Sequence, residues 1–333
     1  MNLNQVKKLM DRKKTSHKGE NGYALVIGGS EEYVGAVVLA GLSALRAGCD
    51  SVTIAAPEKV AWAVHQYTPD LITHKVKGNS FNIKNAKEMI KFADRFDAVL
   101  VGNGITVKAE KFCQHFIRKS QKLKVVDADA LKALSFKEFN NSIITPHEGE
   151  LEALLVNSNK DFLIPKLKNS NAKEKAEILQ GNLRYFLQNN NVLLLKGATD
   201  IIISRNKIAY NRTGNQGMTK AGTGDILAGL SVGFLAKTKD LFKSAVAASF
   251  INGFVGDLQL KKKKGYSFIA SDILEDMEKV GKDGKIVGSN TVKKTSKKAV
   301  KKKVVKKKLV KKVARKVVKK TVKKTKSKNR RKR

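Results

Sequence analysis

Along most of this 333-residue chain, short apolar runs ending in glycine or polar residues alternate with segments of helical apolar spacing. Tyr23 to Ile27 (YALVI) stops at Gly28-Gly29-Ser30, and Val34 to Leu45 follows with apolar residues on one helical face. Ser51 to Ala56 (SVTIAA) comes next, and Pro57 is expected to open a helix through Ala61, Trp62 and Val64. Leu71 to Val76 leads to a helix near Asn85 to Phe96. Asp97 to Val101 (DAVLV) then ends in Gly102-Asn103-Gly104. Leu123 to Asp127 (LKVVD) repeats the form, as does Ser142 to Thr145 (SIIT) before Pro146-His147-Glu148. Strands this short and this apolar, separated by helices, predict an α/β fold with a mostly parallel central sheet covered by helices on both faces.

Ligands of such sheets bind at the carboxyl ends of the strands. Glycines and polar residues gather at those ends here, at 28–30, 102–104, 127–129, 145–150 and 196–200. Residues 157–190 read as a loop followed by a polar helix. Val192 to Leu195 and Asp200 to Ile203 flank Lys196-Gly197-Ala198-Thr199, and Lys207 to Tyr210 completes a small meander. Helices are expected at roughly 223–237, 241–260 and 270–280.

The meander leads into Asn211 to Leu230 (NRTGNQGMTKAGTGDILAGL), with glycines at 214, 217, 222 and 224 and then one acid, Asp225. An apolar helical segment follows. Glycine lets a ligand approach the main chain closely, and the first N–H groups of a helix, at the positive end of its dipole, suit phosphate. Gly222, Thr223 and Gly224 therefore make a candidate anion hole. Asp225 beside it has two readings: a base that takes a proton from a hydroxyl attacking a terminal phosphoryl group, or a simple helix cap. Taken singly, His147 reads as a capped turn residue, Lys196 as a solvated strand end and Gly28-Gly29 as a turn. The glycines after Ile27 do not match G-x-G-x-x-G, so a Rossmann dinucleotide site is not supported.

Charge is distributed unevenly. The chain holds 67 Lys and Arg against 29 Asp and Glu, a formal net charge of +38, yet 24 of the basic residues lie in 291–333, where there is no acid. The preceding 290 residues thus carry about +14. From Ser289 onward the composition of Lys, Val, Thr, Arg and Ser predicts a tail that is disordered in isolation and binds a polyanion, nucleic acid before an anionic membrane surface. The expected organisation is one domain over 1–288 and a basic tail over 289–333. Cys49 and Cys113 form no CxxC pair and read as small buried apolar residues of a reducing compartment. No apolar h-region opens the chain and no run of 18 apolar residues occurs, so no membrane span is expected and the protein is expected to be soluble and cytoplasmic.

Six separated stretches together resemble the ADP- or ATP-dependent NAD(P)H-hydrate dehydratases: SHKGENGYALVIGGSEEYVGA (16–36), VGNGI (101–105), VVDADALKAL (125–134), ITPHEGELEAL (144–154), LLLKGATDIII (193–203) and NRTGNQGMTKAGTGDILAGL (211–230). The resemblance covers roughly residues 12–280. It implies a ribokinase-like fold and dehydration of hydrated NADH and NADPH driven by a nucleotide phosphate. By the same resemblance, Asp225 is the catalytic base, and Ala36, Gly104, His147 and Asp225 contact the hydrated dinucleotide. Lys196, Gly197, Ala198, Thr199, Asp200 and Gly224 hold ADP or ATP. Magnesium is the implied cofactor, with no motif identifying its ligands, and a homo-oligomer is the expected assembly. The epimerase domain that precedes this module in some relatives has no counterpart here, so epimerisation is expected from another protein.

Three positions depart from the family pattern. Asn103, Glu148 and Gln216 stand where proline is usual, and each is expected to loosen a turn without removing a functional group. A vitamin-precursor or sugar kinase of the same superfamily would share the glycine stretch and Asp225 but release a stable phosphate ester. A nucleic-acid-associated protein acting through its tail is the alternative of another class, against which retention of Asp225 argues.

Overall fold

The computed structural model describes residues 1–263 and 265–280. The boundary at residue 288 and the expectations for the basic tail lie outside the described residues. Among the described residues nine strands form one sheet: β1 (Tyr23–Ile27), β2 (Ser51–Pro57), β3 (Ile72–Val76), β4 (Ala98–Val101), β5 (Leu123–Val126), β6 (Ser142–Ile144), β7 (Val192–Leu195), β8 (Asp200–Ile203) and β9 (Ile208–Asn211). Their order is β3-β2-β1-β4-β5-β6-β7-β8-β9. Every pairing from β3 to β7 is parallel, and β8 and β9 run antiparallel as the meander.

Both faces of the sheet are covered, which is why the strands read as unbroken apolar runs. Successive side chains of a strand point to opposite faces, and in β1 Ala24 and Val26 join one buried cluster while Leu25 and Ile27 join the other. The first cluster is closed by the Val34–Arg46, Thr223–Thr238 and Leu241–Lys263 helices, through residues such as Val37, Phe234 and Ile251. The second is closed by the Ile83–Ala93, Glu110–Lys119 and Glu148–Asn157 helices, through Met89, Phe112 and Leu154.

One contact fixes where the glycine-rich stretch ends up. A Cβ at Gly229 would lie 2.1 Å from the Ala40 carbonyl oxygen, and one at Gly233 would lie 2.5 Å from that of Ala44. Only glycine allows the Thr223–Thr238 and Val34–Arg46 helices to approach so closely. That packing sets the start of the first helix over the carboxyl ends of β1 and β4. The strand order reverses between β1 and β4, opening a crevice there. Gly29 N–H donates to the Asn103 carbonyl across it at 2.8 Å.

Most elements fall within one to three residues of expectation, and three differ in kind. Pro57 ends β2 and is also the N-cap of the Glu58–Tyr67 helix, so it closes a strand while sitting one residue before the helix it was expected to open. Residues 157–190 hold several short helical pieces, among them Ile164–Lys168, Ala172–Asn182 and Arg184–Gln188, rather than a loop and one helix. Leu3–Met10 is a helix that went unpredicted; Asn2 and Gln5 cap it reciprocally and Val6 buries. Cys49 and Cys113 are free and buried, and burial pushes both thiols up to about 12, so neither is a nucleophile near neutral pH.

Candidate active site

The expected site residues come from five loops and helix starts along the carboxyl edge of the sheet. Gly222 opens the Thr223–Thr238 helix with a left-handed backbone, φ 92°, and no side chain caps that helix. Its first free amides belong to Gly224 and Asp225, which have no acceptor among the described residues. The Thr223 N–H turns to the Lys220 carbonyl at 3.4 Å, and its Oγ1 bridges the carbonyls of Met218 and Lys220 at 2.6 and 2.9 Å. Of the expected Gly222 to Gly224 amides, only that of Thr223 is thus turned inward, and the Asp225 amide joins those left free at this helix start.

Asp225 does not cap its own helix. Its Oδ1 accepts from Asn103 Nδ2 at 2.6 Å, and the same amide nitrogen donates to Asp127 Oδ2 at 3.0 Å. Asp127 Oδ1 in turn accepts from Thr145 Oγ1 at 2.7 Å and from Lys196 Nζ at 3.0 Å, and Lys196 Nζ lies 3.5 Å from Glu150 Oε2. Residues from four strand ends thus form one polar chain. Burial pushes the Asp225 carboxyl up to about 6; the Asn103 hydrogen bond pulls down, the Asp127 charge pushes up and Lys196 pulls down. Burial also disfavours the Lys196 ammonium, but the Asp127 and Glu150 carboxylates outweigh it and hold the group above its ordinary range. Lys196 is consequently a tethered internal cation, not a solvated strand end.

Beside this chain lies a cavity of about 520 Å³, within the range of small-molecule sites. Lys196, Gly197, Ala198 and Asp200 form one wall, Thr223 and Gly224 the floor, and Thr213 to Gln216 with Asn252 the far side. Two half-buried acids fix those walls. Asp200 accepts from Gly197 N–H at 3.0 Å and Ser249 Oγ at 2.6 Å, while Asp257 accepts from Gly214 N–H and Asn215 Nδ2 at 3.0 and 3.1 Å. Burial raises the Asp200 carboxyl above its usual range against the pull of Ser249, Gly197, Asn211 and Lys196. Asn252 is buried with Oδ1 unpartnered, an acceptor on the cavity wall that carried no local sequence signal.

The structure brings most expected residues together and separates a few. Gly104, φ 67°, sits against Ala36, whose Cβ would be 3.1 Å from an added Cβ at Gly104. Both lie at the crevice beside Asn103. His147 is the N-cap of the Glu148–Asn157 helix, its Nδ1 accepting from Glu150 N–H at 3.2 Å, and it also faces the cavity with Lys196 and Gly197. It is thus both the capped turn residue and a cavity residue, on the wall expected to hold the nucleotide. Thr199 and Gly222 do not line the cavity. The three departures from proline do more than loosen turns: Asn103 bridges two acids, Glu148 ion-pairs with Lys175 at 2.5 Å, and Gln216 Oε1 accepts from the Tyr266 hydroxyl at 3.1 Å. Asp127, Thr145, Glu150 and Asn252 are the site residues that motif reading missed. Only the polar clusters at the ends of β5 and β6 pointed toward the first three.

Gly197 offers a clean probe of the wall. An added Cβ would meet nothing closer than the Thr199 carbonyl oxygen at 3.4 Å, so Gly197→Val is expected to fold normally and project into the cavity. Nucleotide affinity by calorimetry should fall about tenfold or more, as lost close approach implies. Unchanged affinity would remove this wall from the nucleotide site.

Free helix-start amides, a glycine-walled cavity and an adjoining carboxylate at the carboxyl edge of a parallel sheet place the chain in the class of α/β proteins with a strand-end cleft whose features suit phosphoryl groups. The chain belongs to the NAD(P)H-hydrate dehydratase family, whose sequence profile matches residues 24–279. It is 37% identical over 276 residues to the bifunctional NAD(P)H-hydrate repair enzyme Nnr of Pyrobaculum aerophilum, covering 81% of this chain and 52% of that one. It thus spans about half the length of the bifunctional relatives it matches. The ADP-dependent (S)-NAD(P)H-hydrate dehydratase of Nitrosopumilus maritimus is 30% identical over 284 residues, 83% of this chain and 94% of that one. The crystal structure of the Bacillus subtilis ADP/ATP-dependent NAD(P)H-hydrate dehydratase, co-crystallised with ATP/Mg2+, is similar with a TM-score of 0.67 and 25% identity, over 84% of this chain and 96% of that one. The expected ribokinase-like fold is therefore present. No helix of the described residues is long and apolar enough to cross a membrane.

Proposed function

We propose that this chain dehydrates NAD(P)H hydrate back to NAD(P)H, using ADP or ATP to phosphorylate the hydrate hydroxyl. Asp225 takes the hydroxyl proton as that oxygen attacks the terminal phosphorus, and the bond to the bridging oxygen breaks, leaving a nucleotide one phosphate shorter. Phosphate then departs with the carbon–oxygen electron pair, and the neighbouring ring carbon gives up a proton to water to restore the double bond. Hydroxide is a poor leaving group and phosphate a good one, which is what the nucleotide contributes. The observation that carries this reading is Asp225 itself: Oδ1 is fixed by Asn103, Oδ2 has no hydrogen bond among the described residues, and both lie beside the free amides of the same helix start.

In this reading the nucleotide occupies the cavity between Lys196 to Asp200 and Gly224, and the hydrated dinucleotide lies in the crevice of Ala36, Gly104 and Asp225. His147 stands at the junction of the two. The Gly224 and Asp225 amides stabilise charge on the transferring phosphoryl group. Among the described residues no group of three His, Cys, Asp or Glu side chains is placed to hold a metal ion, and Asp127 and Glu150 both already contact the one Lys196 ammonium. These residues do not fit a protein-held magnesium cage; a cation carried in on nucleotide phosphates suits them better. The test is stoichiometric. With hydrated NADH and ADP or ATP, one nucleotide should be converted per NADH restored, whereas a stable phosphate ester as product would overturn the reading.

A second proposal concerns residues 291–333, with 24 Lys or Arg and no acid. We assign them a nucleic-acid-binding role, since such a segment binds phosphate backbones without regard to sequence. Truncation after residue 288 is expected to leave melting and turnover nearly unchanged while removing most affinity for duplex DNA. The intact chain should bind DNA less tightly as salt rises. If only anionic vesicles distinguish the two proteins, the assignment is wrong.

A further inference from the structure

Asn103 is fully buried at the end of β4, in the crevice where the strand order reverses. Both hydrogens of its carboxamide are used on carboxylates, at 2.6 Å to Asp225 Oδ1 and 3.0 Å to Asp127 Oδ2, while its Oδ1 is buried without a partner. Chemistry forces this orientation. Turning the amide over would set its oxygen against both acids and bury an unpaired NH2 group, a worse arrangement on both counts. A buried, unsatisfied acceptor is a standing cost, and the structure tolerates it because each remaining contact is charge-assisted. Its main-chain oxygen accepts from Gly29 N–H at 2.8 Å, which anchors the backbone from which the amide reaches out.

Resting on the dehydratase reading above, we propose that Asn103 is a positioning residue: it holds Asp225 with Oδ1 committed and Oδ2 free for the hydrate hydroxyl, and links the base to the Asp127–Lys196 ion pair. Nothing else among the described residues hydrogen-bonds the Asp225 carboxylate. The charged groups facing it are Asp127, beyond β5, and Lys196, at the end of β7, with Glu150 reaching Lys196 from the Glu148–Asn157 helix. Asp127 opposes ionisation of Asp225, and Lys196 supports it from behind Asp127. Asn103 lies between the two acids and donates to both, so they can be charged together while they sit side by side. Without that donor the two carboxylates face each other directly, and the one at the helix start loses its only fixed partner.

The test uses the full chain with Asn103→Leu, close in size but without the amide, and Asn103→Ala, which relieves any misfit of the larger side chain. Loss of one charge-assisted hydrogen bond should move the acid limb of the turnover profile up by about one pH unit, with the nucleotide KM unchanged. Carbon-13 titration of the Asp225 carboxyl in the substrate-free protein should show the same upward shift, and this readout needs no turnover. Bound phosphates add the same negative charge to wild type and variants, so the difference between profiles isolates the amide. A purely structural role would lower the melting temperature and leave both titrations where they are. If either folded variant keeps the wild-type limb and carboxyl titration, the proposal is wrong; should the leucine variant fail to fold, the alanine variant decides. Absence of turnover in the wild type would instead sink the dehydratase reading, and the carboxyl titration would still judge Asn103.

Discussion

Asp225→Asn is expected to lower turnover by about 10²- to 10⁴-fold, the usual cost of removing a general base. Nucleotide affinity should stay near wild type. The amide keeps a carbonyl oxygen where Asp225 Oδ1 accepts from Asn103, so the geometry at the helix start survives while the proton acceptor is lost. The same substitution should raise stability. Because burial lifts the folded carboxyl from its ordinary 3.8 to about 6, the protonated form is the one the fold favours. Its contribution is complete below the unfolded value and disappears as pH rises through about 6, so at pH 8 the charged group costs on the order of 1–3 kcal/mol. Asparagine resembles the neutral acid at every pH. The variant should therefore melt higher than wild type at pH 8 and converge with it near pH 4. An active variant would remove Asp225 from the mechanism, and equal melting at pH 8 would deny that the charge is strained.

Lys196→Met should lower stability in addition to any effect on the nucleotide wall. Asp127 and Glu150 have side chains only 3% and 6% exposed and share the Lys196 ammonium, with His147 Nε2 also 3.5 Å from Glu150. Removing one member of a buried ionic group leaves uncompensated charge, with a cost on the order of 3 kcal/mol. For a domain of this size that corresponds to a drop of about 5–10 °C in melting temperature. The pairing gives a control. Adding Asp127→Asn to Lys196→Met removes one of the stranded charges, so the double variant should melt above Lys196→Met alone, a coupling that a cycle measures directly. Additive losses would show that the ion pair carries no stability of its own.

The sheet was legible because its cause is local. Ala24, Leu25, Val26 and Ile27 must all be apolar when helices cover both faces, and glycines at strand ends mark the crevice they enter. The position of Asp225 was legible for the same reason, since a glycine run and a helical apolar stripe bracket it. What surrounds Asp225 was not. Asn103 and Asp225 are 122 residues apart, and Asp127 and Lys196 are 69 apart, so nothing in either neighbourhood announces the contacts. Asn103 read as a looser turn because its backbone setting was visible and its side-chain partners were not. His147 shows the converse: the cap was readable from Glu150 three residues on, whereas the cavity it faces depends on β7 and the glycine-rich loop. Pro57 was misplaced by one step, since a residue that can begin a helix can equally end the strand before it.

Nucleotide-dependent repair by this chain can be observed directly. The direct measurement is absorbance at the reduced-nicotinamide band after mixing the purified protein with hydrated NADH, with and without ADP or ATP, beside the Asp225→Asn variant. Absorbance should return only with a nucleotide present, and about 10²-fold or more slowly in the variant. Absorbance that stays flat with both nucleotides, or that returns equally fast in the variant, would contradict it.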